Sequence, residues 1–186
     1  HWMRFIRDRA TRAGVDVYVT DMFDDGYRPE SSSMTLQALD DPETYSFLDV
    51  SQVNSRNFDE AHWDKLQWYT RALGKRPRPL NNTKIYGNVK KSFGTGTSQD
   101  GVERFGRNIL AGCASARCHR TDSGIGLTDT AKASIRAARY AESVIEFWDI
   151  EPHMELLRDR EKDEAYLACR PGTAYVLYFT DGGTVG

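Results

Sequence analysis

Several features that would assign this 186-residue chain to a familiar class are missing from its sequence. No apolar run approaches the roughly 18 residues of a membrane-spanning helix, so the sequence predicts no membrane span. Neither sign of charge dominates, because 25 basic and 27 acidic residues leave a net charge of −2. Such a balance gives no general attraction to nucleic acid or to anionic lipid. The glycines between residues 86 and 101 do not form the phosphate-binding signature of P-loop proteins, so a mobile loop is expected there.

Cysteine is scarce, and its spacing carries no metal signature. The three cysteines, Cys113, Cys118 and Cys169, are odd in number and form no CxxC pair. Because free cysteine is among the most frequently buried residues, buried thiols are favoured over a disulfide or a metal site. No other group of residues has the clear ligand spacing of a zinc site. The sequence therefore predicts neither a bound metal nor a cofactor.

What the sequence does contain is an alternation of short apolar strands and amphipathic helices. Its content of 39% hydrophobic and 28% charged residues is typical of a globular protein. Apolar periodicity and helix stop signals predict strands at residues 15–20, 45–50, 78–82 and 113–118, and helices at residues 1–13, 58–73, 102–111 and 128–148. The long polar stretch 27–44 is expected to be a functional loop or a small excursion.

Four strand–helix pairs are half of what a (β/α)8 barrel requires, because such barrels take roughly 250 residues. The chain also looks cut at both ends, since it opens inside a helix and closes on a strand and a turn. After Pro152 the periodicity changes to a charged run at 158–164, interpreted as a solvated linker, and a hairpin-like pair of strands. The predicted fold class is α/β. Residues 1–157 are expected to form the C-terminal half of a (β/α)8 TIM-like barrel, and residues 158–186 the first strands of an all-β domain. The remainder of the barrel is expected upstream of His1.

Polar residues follow each predicted strand, where a βα barrel builds its active site from the strand-to-helix loops. Carboxylates, amides, a lysine, a histidine and arginines together suit a polyhydroxylated ligand, whose hydroxyl groups need both donors and acceptors. Lys84, Arg117 and Arg120 also suit a negatively charged group such as a uronate or a sulfate, with a structural ion pair as an equal alternative. The predicted substrate-binding residues are Gln52, Asn54, Asn81, Asn82, Lys84, Tyr86, Arg117, His119 and Arg120.

Two aspartates are the candidate catalytic residues. Asp49 lies between Leu48 and Val50 inside an apolar strand, so its carboxylate must find partners or shift its pKa. A structural and a functional role are equally compatible with that position. Asp21 directly follows the first predicted strand, where it either caps the next element or serves the site. Asp49 is the first choice for a catalytic carboxylate and Asp21 the second.

Several segments resemble bacterial glycoside-hydrolase-like proteins of the apiosidase-like type. These proteins combine a catalytic (β/α)8 barrel with a C-terminal β-sandwich that often carries the label "collagen-binding domain", a label not carried over here as a function. The resemblance covers nearly the whole chain, and its most specific segments are residues 47–54 (FLDVSQVN), 77–87 (PRPLNNTKIYG), 105–120, 124–127 (GIGL), 164–167 (EAYL) and 175–183.

The resemblance implies a protein that acts on glycosidic bonds of a complex poly- or oligosaccharide, secreted or periplasmic. It implies that the four strands correspond to the fifth to eighth of the barrel, so that the acid/base residue after the fourth strand lies upstream of His1. The family's glutamate nucleophile would fall on Thr83, and threonine cannot serve as a carboxylate nucleophile. Either Asp49 or Asp21 substitutes, or the protein is a catalytically inactive glycan-binding barrel with the β-domain as an interaction module. The resemblance implies no particular sugar, linkage or stereochemical outcome.

Overall fold

The computed structural model describes residues 2–22, 29–50, 58–83, 96–116 and 126–186. These residues form five α-helices and two small sheets of three strands each. None of the described helices is long and apolar enough to cross a membrane, as predicted. The helices are α1 (Trp2–Arg12), α2 (Ser33–Asp40), α3 (Asp59–Leu73), α4 (Ser98–Leu110) and α5 (Asp129–Glu142). The strands are β1 (Leu48–Asp49), β2 (Leu80–Asn82), β3 (Ser115–Ala116), β4 (Glu151–Pro152), β5 (Ala165–Arg170) and β6 (Ala174–Phe179), with short 3-10 turns at Pro29–Ser31, Phe147–Asp149 and Met154–Leu156.

The first sheet is parallel and follows the order of the chain, β1–β2–β3. Asp49 lies opposite Asn81, which lies opposite Ser115. A further segment, residues 15–22, runs beside β1, and its Met22 forms a parallel bridge with Asp49. Helices α2 to α5 each follow one of these four segments along the chain. The predicted α/β class is therefore confirmed, whereas the parallel segments within the described ranges do not close into a barrel.

Capping side chains begin three of the helices. Ser32, Thr97 and Thr128 each accept a hydrogen bond from a backbone N–H in the first turn of α2, α4 and α5, respectively. Such a cap typically contributes about 1 kcal/mol to helix stability. Helix α2 lies within the stretch 27–44, which was expected to be a loop or an excursion. The prediction missed it because the helix is only 8 residues long and buries only Thr35 and Ala38.

The main hydrophobic core lies between the parallel sheet and helices α2, α3 and α4. Leu48, Val50 and Leu80 face this side of the sheet and are at most 5% exposed. Complete burial of a leucine side chain contributes about 1.5–3 kcal/mol relative to leaving it exposed. The other buried members of the core are Ala38, Trp63, Leu66, Tyr69, Leu73, Leu110, Ala111, Ile150, Tyr166 and Ala168.

The second sheet is antiparallel, in the order β4–β5–β6. Strands β5 and β6 form the predicted hairpin, with Tyr166 opposite Tyr178. Tyr166 is fully buried and packs on Trp63 of α3, with ring centroids 4.6 Å apart. Because Tyr166 and Ala168 belong to the same core as Leu48, the small antiparallel sheet packs directly on the helices of the parallel part.

The charged run 158–164 is only in part the solvated linker that the sequence predicted, because four of its residues are exposed and two others pair with helices. The guanidinium of Arg160 forms an ion pair with Glu60 of α3. Asp163 donates its backbone N–H to Glu60 Oε2 at 3.0 Å, and its carboxylate accepts from Arg107 at 2.8 Å. Alternating charge resembles a solvated segment in sequence, but here Arg160 and Asp163 pair with Glu60 of α3 and Arg107 of α4.

The last predicted helix is shorter than expected. Helix α5 ends at Glu142, six residues before the predicted end near Trp148. Trp148 lies in the 3-10 turn Phe147–Asp149 and is 71% exposed. Within α5 only Ala131 is buried.

Candidate functional site

The carboxyl ends of β1 and β2 place a small set of polar groups on one face of the parallel sheet. Successive side chains of a strand point to opposite faces, so the pairing of Asp49 with Asn81 puts both on the same side. Thr83, two residues after Asn81, extends that row. We call Asp49, Asn81 and Thr83 the carboxyl-edge cluster. It lies on the face opposite to Leu48 and Leu80, which point to the helices.

Within the carboxyl-edge cluster, Asp49 makes a direct side-chain contact with Thr83. Thr83 Oγ1 donates a hydrogen bond to Asp49 Oδ2 at 2.9 Å, and Asp49 is only 7% exposed. A carboxylate withdrawn from water is costly unless hydrogen bonds compensate it. An ionised carboxylate offers about four lone-pair positions, so it can accept further bonds from a ligand's hydroxyl groups.

Asn82 faces away from the carboxyl-edge cluster. Its side chain is 3% exposed and lies on the helix side of the sheet, where Nδ2 donates to Asn108 Oδ1 at 3.0 Å. The same Nδ2 lies 3.4 Å from His62 Nε2. The two adjacent asparagines that the sequence assigned to one site therefore point to opposite faces, and only Asn81 lies beside Asp49.

Asp21 is exposed, and it lies on the face opposite to Asp49. Because Met22 is the residue that bridges to Asp49, Asp21 points to the other side of the segment. There it lines a cavity of about 520 Å³ with Trp2, Arg4 and Tyr45, among other residues. The structure thus does not bring the two candidate carboxylates together.

The remaining predicted site residues lie outside the described residues. Their assignment to substrate binding stays a prediction. They are Gln52, Asn54, Lys84, Tyr86, Arg117, His119 and Arg120.

The chain matches no known protein-family model. No curated protein matches it either. The likeness to apiosidase-like glycoside hydrolases therefore rests on the sequence segments quoted above. The geometry of the site has to be interpreted on its own chemistry.

A buried polar network behind β2 was not anticipated from the sequence. His62 of α3 and Arg107 and Asn108 of α4 are at most 4% exposed, although each carries a polar or charged side chain. Arg107 Nε donates to His62 Nδ1 at 3.3 Å. Burial, reinforced by the charges of Arg107, Arg104 and Lys65, holds the pKa of His62 well below its usual range, so the ring is neutral. The only sequence signal was a set of polar residues within two amphipathic helices, which is equally typical of exposed helix faces.

Three carboxylates also meet where α3 and α4 begin. Ligand oxygens of Asp59, Asp100 and Glu103 lie within 4.8 Å of one another. Asp100 already serves the capping box of Thr97. Buried Arg104 lies beside these acids, and burial lowers its pKa to about 10 while the acids partly oppose that effect. The arrangement is explained by helix capping and charge neutralisation, so it gives no reason to assign a metal.

A larger cavity than the one beside Asp21 lies at the start of β3. It has a volume of about 860 Å³, and Phe105, Cys113, Trp148 and Gln67 are among its lining residues. Burial raises the pKa of the Cys113 thiol to about 12, so it is protonated at neutral pH and unsuited to nucleophilic chemistry. No member of the carboxyl-edge cluster lines this cavity, which separates it from the candidate site.

Proposed function

We propose that this chain is the C-terminal half of a (β/α)8 glycoside-hydrolase-like barrel followed by the first strands of a β-sandwich domain. It acts on glycosidic bonds of a complex poly- or oligosaccharide. The observation that carries the proposal is the carboxyl-edge cluster, in which the nearly buried carboxylate of Asp49 accepts a hydrogen bond from Thr83 at the carboxyl end of a parallel sheet. Enzymes with βα barrels place their catalytic groups at this end of the strands.

The position of Thr83 connects the geometry to the family resemblance. Thr83 occupies the place where the resemblance expects a glutamate nucleophile, and its hydroxyl lies 2.9 Å from Asp49 Oδ2. A carboxylate one strand away thus reaches the same region of the sheet face. In the proposal Asp49 supplies one of the two carboxylates that glycoside hydrolysis ordinarily requires.

The second carboxylate belongs, in this proposal, to further β/α units upstream of His1 that complete the barrel. Two observations support a barrel that is completed by further β/α units. The two outer members of the parallel sheet, the segment 15–22 and β3, each have a partner on one side only among the described residues. Trp2 and Phe5 of α1 are also 75% and 53% exposed, respectively, which is unusual for aromatic side chains of a covered helix.

A second candidate is a catalytically inactive barrel that binds glycans without cleaving them. It is favoured by the separation of Asp21 from Asp49 on opposite faces, and by threonine at the expected nucleophile position. Asn81 and Asp49 would then accept and donate hydrogen bonds to sugar hydroxyls, with the antiparallel sheet as an interaction module.

The two candidates are separated by an assay of the natural protein that contains this chain, on a panel of plant and bacterial oligosaccharides. Under the first, Asp49→Asn lowers hydrolysis by about 100-fold or more, the usual scale for losing a catalytic acid or base. The matched control Asp16→Asn, an exposed carboxylate on the segment 15–22, leaves the rate unchanged. Saturable binding without hydrolysis by the parent protein supports the second candidate. If the parent neither hydrolyses nor binds any glycan, both candidates are rejected.

A further inference from the structure

We propose that a buried chain of polar contacts links the antiparallel sheet to Asn82, and that it thereby positions Thr83 against Asp49. We call this chain the Asn82 relay and define it by Asn82, His62, Arg107, Asp163 and Tyr166. These are positioning residues, because none of them belongs to the carboxyl-edge cluster. Their assigned role in the site rests on the proposed function, whereas the mechanical link itself does not.

The relay begins at the end of β2. Asn82 Nδ2 donates to Asn108 Oδ1 at 3.0 Å and lies 3.4 Å from His62 Nε2, and all three side chains are buried. β2 is only three residues long, and Asn82 is its last residue, paired with Ala116 of β3. The Asn82 side chain therefore anchors the strand end to α3 and α4.

The relay continues from α3 to α4 and then to the antiparallel sheet. On the other side of the imidazole, Arg107 Nε donates to His62 Nδ1 at 3.3 Å. The same guanidinium donates to Asp163 Oδ1 at 2.8 Å, and the hydroxyl of Tyr166 donates to that oxygen as well. Arg107 has no exposed surface, so its orientation is set by these partners.

The alternation of the strand transmits the anchoring to the candidate site. Asn82 points to the helices, and its neighbours Asn81 and Thr83 point to the opposite face, where Thr83 bonds Asp49. The peptide on the other side of Asn82 is bonded as well, because Val50 donates its backbone N–H to Asn81 O at 2.9 Å. A shift of the Asn82 side chain therefore moves both contacts that connect the ends of β1 and β2.

Two substitutions of His62 test the link without a glycan. Asparagine places its amide where Nδ1 lies and keeps the contact with Arg107, whereas glutamine reaches the position of Nε2 and keeps the contact with Asn82.

Hydrogen exchange of the Val50 amide reports on the end of β2. The Leu48 amide, bonded to Pro79 O at 3.0 Å, reports on its start. We expect His62→Asn to accelerate Val50 exchange relative to Leu48 by about 3- to 10-fold, the scale of one lost hydrogen bond. His62→Gln, which keeps the contact with Asn82 and loses the one with Arg107, should accelerate it by a smaller factor.

The far end of the relay provides an independent pair of variants. Tyr166→Phe removes only the hydroxyl that donates to Asp163, and it should change the Val50-to-Leu48 exchange ratio in the same direction as His62→Asn. Tyr140→Phe is the matched control, since Tyr140 is an exposed residue of α5 outside the relay. If His62→Asn does not fold, this pair still decides. An unchanged ratio in both His62→Asn and Tyr166→Phe would overturn the proposal.

In a protein that hydrolyses glycans, the same variants carry a second readout. His62→Asn should lower kcat more than it raises KM, and His62→Gln should lower kcat by a smaller factor. Because the exchange ratio is measured without substrate, a protein with no glycan activity can still confirm the relay. Conversely, an intact activity profile with an unchanged exchange ratio overturns the relay and leaves the proposed function standing.

Discussion

At Gly106 of α4, the space that a side chain would occupy is already filled by Tyr178 of β6. A Cβ at this position would lie 2.7 Å from two carbons of the tyrosine ring. Alanine would otherwise favour the helix by about 1 kcal/mol over glycine. An overpacked core contact typically costs about 1–3 kcal/mol. This cost outweighs the helix gain, so the net effect of alanine on stability is unfavourable.

We therefore expect Gly106→Ala to lower the free energy of unfolding, measured by urea denaturation, by about 1 kcal/mol after the helix gain is subtracted. The control is the same substitution in a Tyr178→Ala background, where the ring is gone. There, Gly106→Ala should become neutral or stabilising. A stabilising effect in the parent chain would show that β6 yields to the new methyl group and that the contact is loose.

The residue scale also shows what sequence alone could assign at the site. Asp49 could be singled out because an acid between Leu48 and Val50 conflicts with an apolar strand. The opposite orientations of Asn81 and Asn82 could not be assigned, because facing depends on the pairing register. That register is set by contacts with β1 and β3, which lie more than 30 residues away along the chain.

At the scale of elements, Arg78 connects the end of α2 to the approach of β2. Its guanidinium donates to the carbonyl oxygens of Ala38 at 3.0 Å, Leu39 at 2.9 Å and Tyr45 at 2.9 Å. The last carbonyls of a helix have no partner within the helix, so a planar fork of donors suits them. Burial lowers the pKa of Arg78, but the group stays charged at neutral pH.

We expect Arg78→Lys to destabilise the chain although it keeps the charge. A lysine ammonium cannot reproduce the forked geometry, and the loss of one or two charged hydrogen bonds costs about 1.5–3 kcal/mol. The shift of the urea midpoint measures this loss. Arg71→Lys, an exposed position on α3, is the matched control and should change the midpoint little. Equal midpoints for the two variants would show that Arg78 does not hold α2.

Prediction of the elements succeeded where the periodic signal was long. The 15 residues of α3 and the six-residue strands β5 and β6 were all expected from their patterns. Helix α2 was missed, because its eight residues bury too little to show a stripe. The parallel strands are only two or three residues long, so tertiary pairing defines their limits and the sequence overestimates them.

For the molecule as a whole, the sequence suggested a domain boundary between residues 157 and 158. Residues on the two sides of this boundary nevertheless pack in one hydrophobic core. A change of periodicity and a run of charges are both typical of a linker. Two side chains of that run, Arg160 and Asp163, are instead paired with Glu60 and Arg107, and Tyr166 packs on Trp63. Local pattern cannot reveal such pairing, because the partners lie 56 to 106 residues apart.

This shared core leads to a prediction about truncation. A chain ending at Leu157 keeps every helix and the whole parallel sheet but loses Asp163 and Tyr166. Arg107 is then left as a buried charge without its main partner, which costs about 3–5 kcal/mol, and Trp63 loses its aromatic neighbour. Such a loss is comparable to the entire stability of a small domain, roughly 5–15 kcal/mol. We expect the truncated chain to lose cooperative urea unfolding, followed by tryptophan fluorescence, whereas a chain ending at Thr180 keeps it. An unchanged midpoint after removal of residues 158–186 would instead mean that the two sheets fold as independent units, and that the ion pairs between them contribute no net stability.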